Sequence, residues 1–135
     1  MAEYYTKDRL QQLEIIGIIV SSAGVATIDG MPASQGALAV LEELEIDASG
    51  HSSRVLTEEI AEAADIIYAL AQGHVMIIGN TFPSAADKVK LLAKKSVPDP
   101  VGLSFEEYKE SLDMIISAIE DRIISKLEKP DRRKE

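Results

Sequence analysis

Short apolar runs alternate with amphipathic segments along this chain. The runs within residues 18–22 and 66–70 are unbroken and rich in β-branched side chains, which is typical of strands that are covered on both faces of a sheet. Residues 88–92 alternate charged and apolar side chains, as a strand nearer the sheet edge does. Three strands separated by helical segments predict an α/β domain with a mostly parallel sheet.

Helical segments separate these strands. Residues 2–14 form the first predicted helix, and residues 73–80 form a later one. Ser34 and Thr57 stand where N-caps are expected, each ahead of a helix. The last helix has the clearest pattern, because Ser104 and the glutamate three residues later form a capping box. Its apolar stripe follows helical spacing and comprises Phe105, Tyr108, Leu112, Ile115, Ile116, Ile119, Ile123 and Leu127.

The length of 135 residues fits one domain, since a domain commonly holds roughly 100–200 residues. We place this domain at residues 1–128 and expect the charged residues 129–135 to form a disordered tail. The net charge of −9 argues against nucleic acid and anionic membranes as partners, because like charges repel. No apolar stretch reaches the ~20 residues that span a bilayer. The polar N-terminus has no secretory signal, so we expect a cytoplasmic protein.

The chain contains no cysteine, which excludes disulfides, thiolate metal sites and a cysteine nucleophile within these residues. His51 and His74 have no further ligand at a metal-binding spacing, so we expect neither a metal nor a cofactor. Ser22, His51 and Asp99 leave a Ser-His-Asp arrangement open, although no Gly-x-Ser-x-Gly turn supports it. From the residues alone, His51 is interpreted as a turn residue bonded to backbone. Asp99 is interpreted as a loop carboxylate stabilised by the start of the last helix.

Several short motifs stand in a characteristic order along the chain. They are Met1-Ala2-Glu3, Ser22-Ala23-Gly24, Gly30-x-Pro32, His51-Ser52-Ser53-Arg54, Ala64-Asp65-Ile66-Ile67, His74, Lys88-Val89-Lys90-Leu91-Leu92 and Pro98-Asp99-Pro100-Val101-Gly102. Together they cover nearly all of residues 1–128, and their order resembles that of the low-molecular-weight protein tyrosine phosphatase family, which includes bacterial protein arginine phosphatases. The resemblance implies a three-layer α/β fold, an open parallel sheet flanked by helices, from which the family's first strand is missing here. It also implies the dephosphorylation of phosphotyrosine or phosphoarginine in proteins, through a cysteinyl-phosphate.

The resemblance assigns roles to individual residues. Asp99 matches the general acid, which protonates the leaving atom and then acts as a base on water. Ser22 and His51 match residues whose hydrogen bonds support the phosphate-binding loop, and Arg54 matches a frequent family arginine with a structural role. The implied partner is a phosphorylated protein. The cleft loops, at residues 25–32 and just after the acid, lack aromatic side chains, which slightly favours phosphoarginine over phosphotyrosine.

The chain departs from the family at its start. In the family, Met-Ala-Glu follows the phosphate-binding loop, whereas here it opens the chain. The first strand, the nucleophilic cysteine and the phosphate-binding arginine have no counterpart, so we expect a truncated form that is inactive as written. The strands at residues 18–22 and 66–70 then pair directly with each other, accept a strand from another chain, or cause self-association. The alternative function is a non-catalytic interaction or regulatory domain.

Overall fold

The structure is a computed structural model that describes residues 1–128. The elements in chain order are α1 (Ala2–Gln12), α2 (Gln35–Glu42), α3 (Glu58–Ala63), β1 (Ile67–Ala69), α4 (Gln72–Thr81), a 3₁₀ helix (Pro83–Lys88), β2 (Val89–Leu91), α5 (Phe105–Ile119), a π-helical turn (Glu120–Ile124) and α6 (Ser125–Glu128). None of these helices combines the length and the apolar character needed to cross a bilayer. The tail predicted at residues 129–135 lies outside the described residues, and the single domain at residues 1–128 stays a prediction.

Strands β1 and β2 lie side by side and run parallel, and α4 and the 3₁₀ helix connect them. The register pairs Ile67 with Val89, Tyr68 with Lys90 and Ala69 with Leu91. This pairing confirms the strands predicted at residues 66–70 and 88–92. Helix α4 packs against both strands, whereas Tyr68 packs against a separate cluster formed largely by α1, α2 and α5. The predicted class, a parallel sheet with helices packed against it, is therefore confirmed.

The strand predicted at residues 18–22 is wrong for the described structure. These residues have no regular secondary structure, and the side chain of Ile19 is 96% exposed. An isolated parallel bridge joins Gly24 to Val55 just beyond the run. A strand persists only where a neighbour takes up its backbone hydrogen bonds, and the sheet in the described part of the chain has two strands, neither of which pairs with this run. Within residues 1–128, β1 pairs with β2 alone, and Ile66, which directly precedes β1, is 51% exposed rather than buried.

Helices α1, α2 and α5 surround the main hydrophobic cluster. The large side chains that are most completely buried belong to α2, α5 and the π-helical turn: Val40, Leu41, Ile115, Ile119 and Ile124. The apolar stripe predicted for the last helix therefore faces the core along its middle, whereas Phe105 and Leu127 at its two ends are each 38% exposed. The π-helical turn interrupts the predicted continuous helix before α6. In this turn the guanidinium of Arg122 binds the backbone oxygens of Leu91 and Leu92, which attaches the end of β2 to the C-terminal helix.

Side-chain caps begin three of the helices where the sequence predicts them. Ser34 Oγ accepts a hydrogen bond from the backbone N–H three residues on at 3.4 Å, and Thr57 Oγ1 does the same at 3.2 Å. Ser104 and Glu107 form the predicted capping box at the start of α5. Each cap supplies an acceptor to a backbone donor that has no partner inside its own helix.

Lys88 binds the C-terminal end of α3. Its Nζ donates to the backbone oxygens of Ala61, Glu62 and Ala64 at 3.0, 3.0 and 2.8 Å. The last carbonyls of a helix have no partner within it and carry partial negative charge, so a cation is favoured there. The ammonium group therefore attaches the 3₁₀ helix, which lies between the two strands in the sequence, to the end of α3.

Candidate active site

Ser22 and His51 meet at Glu3, in the first turn of α1. Ser22 Oγ donates a hydrogen bond to Glu3 Oε1 at 2.5 Å, and His51 Nδ1 lies 3.9 Å from the same oxygen. Lys7, one turn along the helix, binds the other carboxylate oxygen at 2.5 Å. The structure thus brings together two of the three residues singled out by the sequence, through a carboxylate to which the sequence motif assigned no role. The sequence feature that could have identified Glu3 is its place in the Met1-Ala2-Glu3 motif.

The surroundings of Glu3 favour its charged form. Burial alone raises the pKa of this carboxyl, but the hydrogen bonds from Lys7 and Ser22 and the charges of Lys7 and His51 outweigh burial, so the pKa lies below its usual value. A carboxylate is therefore fixed between Ser22 and His51 at neutral pH. The ring of Tyr4 meets the His51 ring edge-on, with the centroids 5.5 Å apart.

This geometry does not form a Ser-His-Asp triad. A nucleophilic serine needs a histidine base within hydrogen-bond reach, and that base needs an orienting carboxylate. Ser22 gives its hydrogen bond to Glu3, and the backbone N–H of His51 donates to Ala48 O at 3.1 Å. The cluster is suited to holding backbone and side chains in place rather than to activating a serine.

Arg54 holds the chain segment that carries Ser22. Its Nε donates to the backbone oxygen of Ser22 at 3.0 Å, and its Nη2 donates to Ser21 Oγ at 2.7 Å. Next to it in sequence, Ser53 Oγ accepts a hydrogen bond from Met31 N–H at 2.9 Å. Motifs that are far apart in the sequence therefore pack together around Glu3, Lys7, Ser22 and His51, which we call the Glu3 cluster.

Asp99 lies on a loop that follows the end of the sheet. Val97 N–H donates to Leu70 O at 2.7 Å, which attaches this loop just beyond the carboxyl end of β1. The buried Ser111 of α5 donates from its Oγ to Pro98 O at 3.0 Å. Hydrogen bonds therefore attach the loop both to the end of β1 and to α5. The carboxyl ends of parallel strands are the usual position of ligand sites in open α/β sheets.

The Asp99 carboxyl is exposed and stands apart from the Glu3 cluster. Its Oδ1 accepts a hydrogen bond from Val101 N–H at 3.1 Å, and no hydrogen bond within residues 1–128 joins it to Ser22 or His51. His74, to which the sequence gave no role, is exposed on α4. In the described part of the chain, no three His, Asp or Glu side chains converge in a way that could hold a metal ion.

A comparison with known families decides the class of this protein. The model of the family described as low molecular weight phosphotyrosine protein phosphatase matches residues 1–133. The chain belongs to this family. Its membership confirms the resemblance carried by the sequence motifs, and it agrees with the parallel sheet and packed helices of the structure.

Phosphatases with different named substrates are similar to this family member. The protein-arginine-phosphatase of Bacillus subtilis is 34% identical over 139 aligned residues, which cover 98% of this chain and 90% of that protein. The low molecular weight protein-tyrosine-phosphatase Etp of Escherichia coli is 29% identical over 118 residues, which cover 84% of this chain and 80% of that protein. Sequence similarity therefore extends to both arginine and tyrosine phosphatases.

A solved structure of the arginine phosphatase YwlE has the same fold. It matches with a TM-score of 0.85 and 34% identity, over 99% of this chain and 90% of that one. That protein is a cysteine-to-serine mutant whose active-site serine is phosphorylated. The 135 residues of this family member contain no cysteine, so none of its side chains supplies a thiol.

Proposed function

We propose that this chain is a phosphatase domain that carries the acid and the supporting residues of the reaction without its nucleophile. The reaction of the complete domain removes phosphate from phosphorylated side chains of proteins, through a cysteinyl-phosphate. The observation that carries the proposal is the absence of cysteine from a chain that matches the family model over residues 1–133. By themselves, these 135 residues are inactive as a phosphatase.

Asp99 is the general acid in this proposal. It protonates the leaving atom as the bond to phosphorus breaks, and then accepts a proton from the water that attacks the cysteinyl-phosphate. Its exposure leaves it accessible to a substrate. The hydrogen bonds of Val97 and Ser111 on either side of the loop support this role, because they fix the backbone that carries the carboxyl.

Ser22 and His51 are positioning residues in this proposal, and Glu3 joins them. A loop that binds a phosphate dianion needs many donors held in fixed directions. The charged Glu3 carboxylate orients the Ser22 hydroxyl through a hydrogen bond at 2.5 Å and lies beside the His51 ring. This arrangement at the start of α1 stands where, by family resemblance, the phosphate-binding loop leads into the helix.

Phosphoarginine is the substrate that we infer for the complete domain. An aryl phosphate is held by stacking against aromatic side chains, and residues 25–32 contain none. Val101 and Gly102 follow the Asp99-Pro100 pair, so the loop of the acid offers no aromatic ring either. The similarity to an arginine phosphatase, at 34% identity, supports the same substrate.

The test compares this chain with a form that is extended ahead of Met1 by a first strand and a phosphate-binding loop of the family, which together supply the nucleophilic cysteine and the phosphate-binding arginine. We expect phosphate release from phosphoarginine in the extended form and none above buffer in the chain alone. Turnover by the chain alone contradicts the proposal. A folded extended form without turnover does so as well.

The role of Asp99 is tested in the same extended form. Asp99→Asn is expected to lower kcat about 10²–10⁴-fold, with Asp113→Asn, an exposed carboxyl on α5, as the matched control. The loss should be smaller with p-nitrophenyl phosphate, because nitrophenolate leaves with little help from an acid. Equal losses with both substrates contradict the acid role.

A second candidate function is a non-catalytic binding domain. The observation that favours it is the apolar surface at residues 15–20, where Ile16 is 91% exposed and Ile19 is 96% exposed. A partner that donates a strand to this surface is one form of this function. A stable, inactive chain that retains a defined partner through these residues supports it over the catalytic proposal.

A further inference from the structure

Ser53 directs its hydroxyl and both of its backbone polar groups to one turn of the chain, residues 28–31, which we call the 28–31 turn. Its Oγ donates a hydrogen bond to Ile28 O at 2.6 Å and accepts one from Met31 N–H at 2.9 Å. Its backbone N–H donates to Met31 O, and its backbone oxygen accepts from Gly30 N–H, both at 2.8 Å. A single residue therefore makes four hydrogen bonds to this turn.

The Ser53 hydroxyl binds the two groups that define the shape of the turn. The carbonyl of the first residue and the N–H of the last commonly close a four-residue turn. Here these groups are Ile28 O and Met31 N–H, and the hydroxyl bonds to both. A hydroxyl can donate and accept at the same time. Ser53→Ala therefore loses both bonds, whereas Ser53→Thr can keep both.

The residues that follow Ser53 connect the turn with the candidate active site. Arg54 donates from its Nε to the backbone oxygen of Ser22 at 3.0 Å. Val55 N–H donates to Oδ1 of Asp29, which lies in the turn, at 2.8 Å. The segment that carries Ser22 and the 28–31 turn are therefore attached to the same three consecutive residues. This attachment fixes the turn relative to the residues that support the phosphate-binding loop in the proposed function.

The turn exposes two apolar side chains, Ile28 at 65% and Met31 at 48%. In the proposed function, residues 25–32 border the substrate cleft and offer no aromatic ring for stacking. Branched and flexible apolar side chains suit the aliphatic part of a phosphoarginine side chain and the peptide next to it. Such contacts bind most tightly when the protein holds them in place beforehand, because ordering a loop during binding costs free energy.

We propose that Ser53 is a positioning residue that holds the 28–31 turn as a preformed wall for the organic part of the substrate. Because the location of the cleft comes from the proposed function, this role rests on that function. Ser53 acts through the turn and touches neither the phosphoryl group nor the leaving atom. Its loss should therefore raise KM and leave kcat unchanged, since the contacts at stake are equally strong in the ground state and the transition state.

Amide hydrogen exchange, followed by nuclear magnetic resonance in the chain of 135 residues, tests the hold on the turn. Met31 N–H donates to the Ser53 hydroxyl, so Ser53→Ala should speed exchange at Met31 about tenfold. Ser53→Thr should restore slow exchange. Ser52→Ala is the matched control, because Ser52 is exposed and makes no hydrogen bond within residues 1–128. Unchanged exchange at Met31 in Ser53→Ala overturns the proposal.

Steady-state kinetics of the form extended ahead of Met1 test the consequence for the substrate. With a peptide that contains phosphoarginine, Ser53→Ala should raise KM about tenfold at unchanged kcat. Inorganic phosphate has no organic part, so its inhibition constant should stay the same. Ser53→Thr should recover the wild-type KM, and Ser52→Ala should not change it. Circular dichroism checks that all variants keep the same fold.

The outcomes separate this proposal from the proposed function. An unchanged KM in Ser53→Ala, or equal KM values in Ser53→Ala and Ser53→Thr, overturns the role of Ser53 and leaves the phosphatase activity established. A lower kcat together with weaker inhibition by phosphate also overturns it, because Ser53 then supports the phosphate site itself. An extended wild type without turnover contradicts the proposed function and this role together, and that result is obtained before any substitution is made.

Discussion

Replacing Lys88 by methionine removes the ammonium group that binds the last carbonyls of α3. Its Nζ donates to Ala61, Glu62 and Ala64 at 3.0, 3.0 and 2.8 Å. A hydrogen bond to a charged group contributes about 1.5–3 kcal/mol, but here three bonds share one charge, and ordering the lysine side chain offsets part of the gain. Methionine keeps the apolar part of the side chain. We expect the free energy of unfolding to fall by about 2 kcal/mol.

Urea unfolding followed by far-ultraviolet circular dichroism measures this loss. With a denaturant slope of about 1–3 kcal/mol per molar for a small protein, the midpoint should fall by roughly 1 M. Lys90→Met is the matched control, because Lys90 lies two residues further along the chain, in β2, and is exposed, so its replacement should change the midpoint little. Lys88→Arg should recover only part of the loss, since a planar guanidinium cannot direct donors as an ammonium does. Equal midpoints for Lys88→Met and Lys90→Met refute the stabilising role.

Two further predictions concern the pH dependence of stability, measured as the free energy of unfolding in urea. Burial raises the pKa of Tyr5, and so do the hydrogen bond that its hydroxyl donates to Glu120 and the negative charge of Glu120. Together they bring this pKa to about 12. The folded state therefore gains stability that is complete below the unfolded pKa of about 10 and is lost as the pH rises through about 12, and Tyr5→Phe should remove this alkaline loss. The pKa of Glu3 is shifted in the opposite direction, since it is lower in the folded state than in the unfolded state. The stability that this shift contributes is therefore present above the unfolded pKa and is lost as the pH falls through the folded pKa. Glu3→Gln should flatten this acid limb, and Glu14→Gln, an exposed control, should not.

Features set by neighbouring residues were predictable from the sequence. Ser34, Thr57 and the Ser104 capping box begin helices where the pattern predicts them, because a cap depends on backbone donors two or three residues away. The strands predicted within residues 66–70 and 88–92 are also present in the structure. Each is a short run of strand-forming residues, and the two runs pair with each other.

Features that depend on distant partners were not predictable. The run at residues 18–22 has the same composition as a buried strand, but no strand in the described part of the chain pairs with it. Glu3 reaches Ser22 and His51 only through the folding of α1 against two loops. The order of family motifs identified Ser22, His51 and Asp99 as candidates, whereas the carboxylate that joins the first two required the structure.

Intact-mass spectrometry of the chain, after incubation with excess phosphoarginine and acid quenching, tests the central proposal most directly. The proposal predicts an unchanged mass and no release of inorganic phosphate, because none of the 135 residues is a cysteine. A gain of one phosphoryl group that is lost again as phosphate appears would show that another side chain serves as nucleophile, and would contradict the proposal.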